Sequence, residues 1–453
     1  MAIARLLEDY LNQWKNRNNR KPLILRGARQ VGKTTLINSF ASSYSNFIYL
    51  NLEKATDKAL IDSFSDVNQL CNALFIRAEI QTDLKSETLL FIDEIQESPK
   101  TIQLLRYFYE EIPDLHLIAA GSLLEFALKD VKSFPVGRVE FAYLHPLNFI
   151  EFLTAINKSE ALEAMQHIPI KRYAHKTLMN LFHQYAIIGG MPEIVAHYSK
   201  DNNIANLQNS YESIWETYIA DVSKYGESKK EANVIKHILE SAPIYLDERI
   251  TFHNFAQSNY RSAEVSQAFR SLDKAKVIQL IYPTIEIKLP LKINLKKKPR
   301  MQILDSGLVN YALNIQAEML TMEDLNKTYK GALIPHLINQ EIISKNQLKD
   351  QKPSFWVRDS SQSSAEVDLI LACKGLAIPV EIKSGPKGKL RSLHEFIDRC
   401  EHNLAVRVYG GEFSLEQHKT PRKGKAYHLM NIPYYLGTLL PEYIEELLLP
   451  LKD

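Results

Sequence analysis

The sequence predicts an α/β protein, in which a parallel sheet with helices on both faces is followed by a helical segment and a second α/β domain. Three stretches carry that prediction. Gly27-Ala28-Arg29-Gln30-Val31-Gly32-Lys33-Thr34 fits the pattern G-x-x-x-x-G-K-[ST], between the strand-like run Pro22-Leu23-Ile24-Leu25-Arg26 and the helix-like opening Thr35-Leu36-Ile37-Asn38. Leu89-Leu90-Phe91-Ile92-Asp93-Glu94 is an apolar run that ends in two acids. Ala365-Glu366-Val367-Asp368-Leu369-Ile370-Leu371 and Ile378-Pro379-Val380-Glu381-Ile382-Lys383-Ser384-Gly385 read as two strands of a hairpin, turned at Lys374-Gly375.

Length and charge set the frame. A chain of 453 residues exceeds one ordinary core, so about two to four domains are expected. Apolar content of 45% and charged content of 24% are those of a soluble globular chain. Lys+Arg 55 against Asp+Glu 53 leaves +2, so only a local patch, not overall charge, argues for a nucleic-acid partner. Cys71, Cys373 and Cys400 are far apart and odd in number, which excludes a disulfide framework or a CxxC metal pair and fits a reducing compartment. No run approaches ~18 apolar residues, so no membrane span is expected. Met1 to Trp14 carries Arg5, Glu8 and Asp9, as an amphipathic helix does and a signal peptide does not. The cytoplasm is the expected location.

In chain order, residues 2–17 have Ile3, Leu6, Leu7, Tyr10, Leu11 and Trp14 spaced for one helix face. The glycine-rich loop follows as a phosphate-binding loop. Gly27 and Gly32 let the backbone wrap closely around an anion. The N–H groups of Ala28, Arg29, Gln30 and Val31, and of the helix start through Thr35, then face phosphates. Lys33 adds a positive charge, and the Thr34 hydroxyl is placed to ligate Mg²⁺. Phe47-Ile48-Tyr49-Leu50-Asn51-Leu52 suggests a second strand, and 55–85 reads as helical. The run into Asp93-Glu94 has the form of a Walker B strand, buried in a parallel sheet. Asp93 is expected to hold Mg²⁺ and Glu94 to polarise the attacking water as general base. Leu115 to Ala120 gives another buried strand; Ser122 just beyond it is either a γ-phosphate sensor or a helix N-cap. Arg138 either stabilises phosphate charge, in its own or a neighbouring subunit, or is a surface arginine in a turn.

Arg26 through Thr35, Phe91 through Gln96, Ala120-Gly121-Ser122, Gly137-Arg138 and Leu144 through Leu153 resemble the AAA+-type ATPases of bacteria and archaea that carry an uncharacterised C-terminal domain with a nuclease-like fold. The likeness continues at Gly189-Gly190-Met191-Pro192-Glu193 and Leu304-Asp305-Ser306-Gly307-Leu308, and so covers most of the chain. It implies a P-loop NTPase core with a five-stranded parallel sheet, Mg-ATP as ligand and homo-oligomer formation. It also favours the phosphate role for Arg138.

Residues 151–228 read as a helical lid, interrupted at Gly189-Gly190-Met191-Pro192. Over 229–290, helices are expected around 234–239, 252–256 and 262–272, followed by strands at 277–282 and 285–288. That is the layout of a winged-helix-like segment, used for DNA or for protein packing. Lys292, Lys296, Lys297, Lys298 and Arg300 form a basic run that either contacts phosphates or is a solvated loop.

Residues 300–453 hold the third constellation. Glu381 and Lys383 are two apart and share a strand face, and Asp368 on the partner strand meets them. Asp368 and Glu381 can hold a divalent metal, and Lys383 can orient water. The set resembles the D…ExK arrangement of the PD-(D/E)xK nuclease superfamily. That resemblance implies a C-terminal α/β nuclease-like domain, with Glu341 as an added acid from a preceding helix. The alternative is a retained fold whose acids and lysine form a salt-bridge cluster.

These readings give an ATPase core at 1–150, a helical lid at 151–228, a winged-helix-like segment at 229–290 and the nuclease-like domain at 300–453. The expected function is Mg-dependent ATP hydrolysis coupled to a module that binds or cuts DNA. The alternative is a nucleotide-dependent switch whose inactive C-terminal domain docks a protein partner.

Overall fold

Short β-rich runs in the first third of the chain are too apolar to stay at a surface, and they pair into one sheet. The computed structural model describes residues 3–128, 131, 133–226, 228–321, 331–359, 365–383 and 390–452. The chain packs as two units. One takes 1–145 with two later returns, 274–277 and 346–350; the other takes 146–273, 278–345 and 351 onward.

The first unit runs α1 (Leu7–Lys15), β1 (Leu23–Arg26), α2 (Lys33–Ala41), β2 (Asn46–Asn51), α3 (Ala55–Asp62), α4 (Val67–Arg77), β3 (Thr88–Asp93), α5 (Pro99–Glu111), β4 (His116–Gly121) and β5 (Glu140–Tyr143). The strands form a five-stranded sheet in the order β2-β3-β4-β1-β5. Every pairing is parallel. β3 and β4 lie inside the sheet and are buried along their whole length, as strands covered by helices on both faces must be. The helices start where the sequence offers caps: Asp66 accepts from Gln69 N–H before α4, and Ser98 accepts from Thr101 N–H before α5, which has Pro99 in its first turn. In α1, Leu7, Leu11 and Trp14 turn inward, and Trp14 Nε1 donates to Lys21 O at 2.9 Å. Four of the strands coincide with the apolar runs. The fifth, β5, is short and half-buried at its start, and only the family resemblance implied it.

The second unit begins with helices Phe149–Ala155, Ser159–Met165, His175–Ile188, Pro192–Asp201 and Gln208–Ala220. The glycine pair after Ile188 is required by a close approach: a Cβ on Gly189 would lie 2.3 Å from Asp305 Oδ1. The gap lets Asp305 accept from Gly190 N–H at 2.5 Å and cap Ser306–Ala312 through Leu308 N–H at 3.1 Å.

The winged-helix expectation needs correction in two places. Helices Lys229–Ser241 and Ser262–Lys274 form, but between them 252–256 gives only a one-turn 3₁₀ segment, Phe255–Gln257. Phe252 and Phe255 are held by Phe269 with ring centroids 5.7 and 5.0 Å away, so aromatic packing, not a helix, fixes them. The return strand is also misplaced in the sequence reading. β6 (Ile278–Ile281) pairs antiparallel with β7 (Arg300–Ile303), and 285–288 lies in no strand. Ile285 and Ile287 are spent instead on packing against buried clusters around Phe355 and Trp356.

The remaining strands are β8 (Ser354–Val357), β9 (Glu366–Cys373), β10 (Leu376–Ile382), β11 (Leu404–Tyr409), β12 (Ser414–Lys419) and β13 (Ala426–Pro433). They form a mixed six-stranded sheet, β12-β13-β11-β10-β9-β8. The expected hairpin is β9–β10, antiparallel with Leu369 opposite Val380. Lys374 (φ 39°) and Gly375 (φ 86°) supply the two positive φ angles that a tight two-residue turn needs. Ser384 and Gly385 lie outside the described residues.

Candidate functional site

β1 delivers the chain to the loop at the carboxyl end of the sheet, the edge where parallel sheets collect ligands. Gly27 has φ 155°, and a Cβ there would lie 2.2 Å from Leu144 O. Gly32 is left-handed at φ 91°, ψ 23°, and caps α2 without a side chain. No acid stands in the first turn of α2, so its amides face the loop without a competing negative charge. Lys33 is buried, and its Nζ donates to Gly27 O at 3.0 Å and Ala28 O at 2.8 Å. Burial pulls its pKa down to about 8, against the opposing pull of Glu94 and Asp93.

The second side of the site is β3. Thr34 Oγ1 donates to Asp93 Oδ2 at 2.6 Å, which joins the loop to the Walker B strand directly. Tyr49 OH lies 3.3 Å from the same oxygen, and Glu94 N–H donates to Asp93 Oδ1 at 3.0 Å. Burial raises the Asp93 pKa, while the Thr34 hydrogen bond lowers it. Glu94 takes a left-handed conformation, φ 51° and ψ 47°, at the strand end. Its Oε2 accepts from Gln96 Nε2 at 2.6 Å.

β4 lies between β1 and β3, so Ser122, one residue past its end, falls between the two halves of the site. Ser122 is buried, and its hydroxyl has no hydrogen-bond partner. It is not an N-cap: the short helix Leu124–Ala127 starts from Leu123, without a side-chain cap. A buried polar atom left unpaired costs about 1–3 kcal/mol, so a polar ligand there has something to gain.

The other loop residues divide by role. Ala28 and Val31 are buried, and Val31 O accepts from Arg5 NH1 at 3.0 Å. Arg29 NH2 pairs with Glu53 Oε1 at 3.3 Å, Gln30 Oε1 is buried without a partner, and Thr35 is exposed on α2. Arg138 is not turned to the loop. Its Nε donates to Glu110 Oε1 on α5 at 3.0 Å, and its side chain is 45% exposed.

The donor set fits a Mg²⁺-nucleotide. It offers a glycine loop a Cβ would fill, a buried ammonium on loop carbonyls, a hydroxyl–carboxylate pair and an orphaned serine. Residues 19–153 match the family model described as an AAA domain. The chain carries an ATPase-type P-loop domain. Residues 179–319 and 330–435 match two further models, each described as a domain of unknown function (DUF8612 and DUF4143). No curated protein matches the sequence. Among solved structures, a Walker-type ATPase of Pyrococcus abyssi is similar at 14% identity and TM-score 0.43, covering 69% of this chain and 96% of that one. A signal transduction ATPase with numerous domains and a tetratricopeptide repeat sensor, from Pyrococcus horikoshii, is similar at 12% identity and TM-score 0.28, over 74% of this chain and 47% of that one. PCH-2 of C. elegans follows at 13% identity and TM-score 0.21, over 60% and 66%.

Outside the P-loop domain, the hairpin places Asp368 on β9, Glu381 on β10 and Lys383 one residue past the end of β10, each with partners of its own. Asp368 Oδ2 accepts from Ile382 N–H at 2.9 Å. Lys383 Nζ pairs with Glu381 Oε1 at 2.5 Å. Glu381 is 4% exposed, and burial pushes its pKa up to about 7, with Asp368 adding to the rise and Lys383 and Arg300 opposing it. Arg300, assigned from sequence to the basic run, is not a loop cation. It enters this group and pairs with Glu366, with Asp368 at 3.4 Å and with Asp247 at 3.1 Å. Among the described residues, no three of His, Cys, Asp and Glu converge to hold a metal ion. Asp368 and Glu381, expected to hold a metal, are each engaged by protein partners in this arrangement.

Glu341 also departs from expectation. It lies on the helix Leu333–Lys345, fully buried, and both its oxygens lie 3.1 Å from Phe149 N–H. Tyr185 OH donates to Oε1 at 2.7 Å and Thr438 Oγ1 donates to Oε2. Those partners make it a tie between the start of helix Phe149–Ala155 and the elements around it. The sequence reading missed Gln96, Arg5, Asp247 and Glu366. Gln96 and Glu366 each stand two residues from an acid that was read, and that spacing was the available signal.

Proposed function

We propose that the chain is a Mg²⁺-dependent ATP-hydrolysing switch whose C-terminal domain docks a macromolecular partner. The observation that carries the first half is the 2.6 Å bond between Thr34 and Asp93, with Glu94 next in sequence. On binding ATP, the Lys33 ammonium exchanges the carbonyls of Gly27 and Ala28 for phosphate oxygens. The loop amides hold the same phosphates. Thr34 and Asp93 are the residues that would hold the metal. Bound Mg²⁺ supplies the positive charge that neutralises the phosphates. Glu94, oriented by Gln96, accepts the proton of the attacking water. Ser122 donates to the γ-phosphate. Arg138 takes part only after leaving Glu110, and an oligomeric neighbour is one route by which that exchange arises.

Glu94→Gln tests this reading, because it keeps shape and removes the base. ATP turnover is expected to fall about 10²–10⁴-fold, the range a general base contributes, with ATP affinity retained. Turnover at the wild-type rate would remove Glu94 from the mechanism.

The competing reading of the C-terminal domain is DNA cleavage at Asp368, Glu381 and Lys383. The pairing of Arg300 with Asp368 favours docking over cleavage. Incubation with single-stranded, double-stranded and branched DNA, with Mg²⁺ or Mn²⁺ and with or without ATP, is expected to leave the DNA intact. Cleavage lost in Asp368→Ala would reinstate the nuclease. Salt-sensitive DNA retention without cleavage would make DNA the docked partner; absence of both leaves a protein partner.

A further inference from the structure

We propose that Arg300 is the resident cation of the acid group on β9, standing in place of the divalent ion that the D…ExK set would need to cut a phosphodiester. This deepens the docking reading of the C-terminal domain and rests on that half of it alone.

The guanidinium is held from several sides. Its carbon lies 4.8 Å from the centroid of the Phe355 ring. NH1 is 3.1 Å from Asp247 Oδ1, while NH2 meets Glu366 Oε1 and lies 3.4 Å from Asp368 Oδ1. Glu366 and Asp368 are two apart on β9 and so present their carboxylates to one face. The Arg300 side chain is only 11% exposed. A guanidinium stays charged under such conditions, and its planar fork suits several carboxylates at once. Burial alone lowers its pKa, but Asp247, Glu366 and Asp368 raise it above its ordinary value.

The count of free oxygens points the same way. A divalent cation in an oxygen site needs one or two carboxylates free to turn to it, with waters completing its shell. Of the four oxygens on Asp368 and Glu381, one accepts from Ile382 N–H, one faces Arg300 and one is paired with Lys383. The fourth, Glu381 Oε2, is buried and has no hydrogen-bond partner. That one oxygen alone is left open to a further ligand. Charge is nearly balanced without a metal: Asp247, Glu366, Asp368 and Glu381 face Arg300, Arg249 and Lys383. Arg249 completes the group, 3.5 Å from Glu366 Oε2.

The decisive experiment is equilibrium dialysis of the full chain against Mn²⁺ without nucleotide. Wild type and Asp368→Asn are expected to bind the same number of Mn²⁺ ions, because the acid group is already filled. Arg300→Met, which keeps length and removes charge, is expected to bind one ion more per chain. That extra ion should vanish in Arg300→Met/Asp368→Asn and be absent from Arg300→Lys. An Asp368-dependent ion in the wild type overturns the proposal, even if Arg300→Met fails to fold. A folded Arg300→Met that gains no ion overturns it as well. Neither result touches the P-loop reading, which is assayed through Glu94.

Discussion

The Lys33 ammonium lies against the carbonyls of Gly27 and Ala28 with its pKa drawn down to about 8 by burial. Phosphate oxygens bind the charged form, so ATP binding takes up a proton wherever the free protein has lost it. The sign follows directly: affinity is full below pH 8 and falls as pH rises through it, approaching tenfold per pH unit. Titration of ATP affinity between pH 7 and 9.5 measures this, and a flat profile would place the Lys33 proton elsewhere. Gln96 acts at the same scale. Its amide nitrogen holds Glu94, while its Oε1 is buried without a partner and would lie 2.5 Å from a Cβ on Gly121. One side chain thus touches both Glu94 and the strand that leads to Ser122.

At the scale of elements, the loop depends on a place where only glycine fits. A Cβ at Gly27 would overlap Leu144 O at 2.2 Å, backbone against backbone just beyond β5. Gly27→Ala is expected to cost at least ~2 kcal/mol of stability and to abolish ATP binding, measured by denaturant unfolding and by calorimetry. Glu341 plays the corresponding part in the second unit. Removing it leaves Phe149 N–H and Thr438 Oγ1 without this acceptor, while Tyr185 OH keeps Leu147 O at 3.0 Å, so Glu341→Ala is expected to lose about 2–4 kcal/mol, with ATP turnover assayed beside the unfolding curve to separate folding from chemistry. The loop, β3 and the β9–β10 hairpin were legible because their chemistry is written in adjacent residues. Arg300 was not, since its carboxylates come from residues 247, 366 and 368, and no local pattern reports such a distance. The strand expected at 285–288 failed for a related reason: alternating apolar residues look alike whether they pair in a sheet or pack singly into two clusters.

Over the whole molecule, the P-loop unit is not one stretch of chain. Its segments 274–277 and 346–350 pack onto the end of 1–145. Tyr143 N–H donates to Gln347 O at 2.7 Å, and Lys276 Nζ pairs with Asp350 Oδ2 at 2.5 Å. His145 lies partly buried beside that pair, its pKa lowered to about 4 chiefly by desolvation, with Lys276 adding to the fall. Arg5 NH2 donates to His145 O at 2.6 Å while NH1 holds Val31 O of the loop, so the phosphate loop and residue 145 share one side chain. A fragment of residues 1–150 lacks both returning segments. Its melting temperature is expected to fall below that of the P-loop unit in the full chain by several degrees, since each ~1 kcal/mol shifts a domain of this size by about 2–4 °C. Equal melting would mean that the returning segments carry no stability.

The same discontinuity matters while the protein is being made. After His145 has emerged from the ribosome, roughly two hundred further residues must be translated before 346–350 arrives. At ~5–20 residues per second that interval lasts on the order of ten to forty seconds. Through it, the nascent β5 edge offers an unpaired Tyr143 amide and an uncovered His145 to whatever is nearby. The newborn chain therefore carries that open edge through a defined interval of its synthesis, and the edge closes only when residues 346–350 return to it.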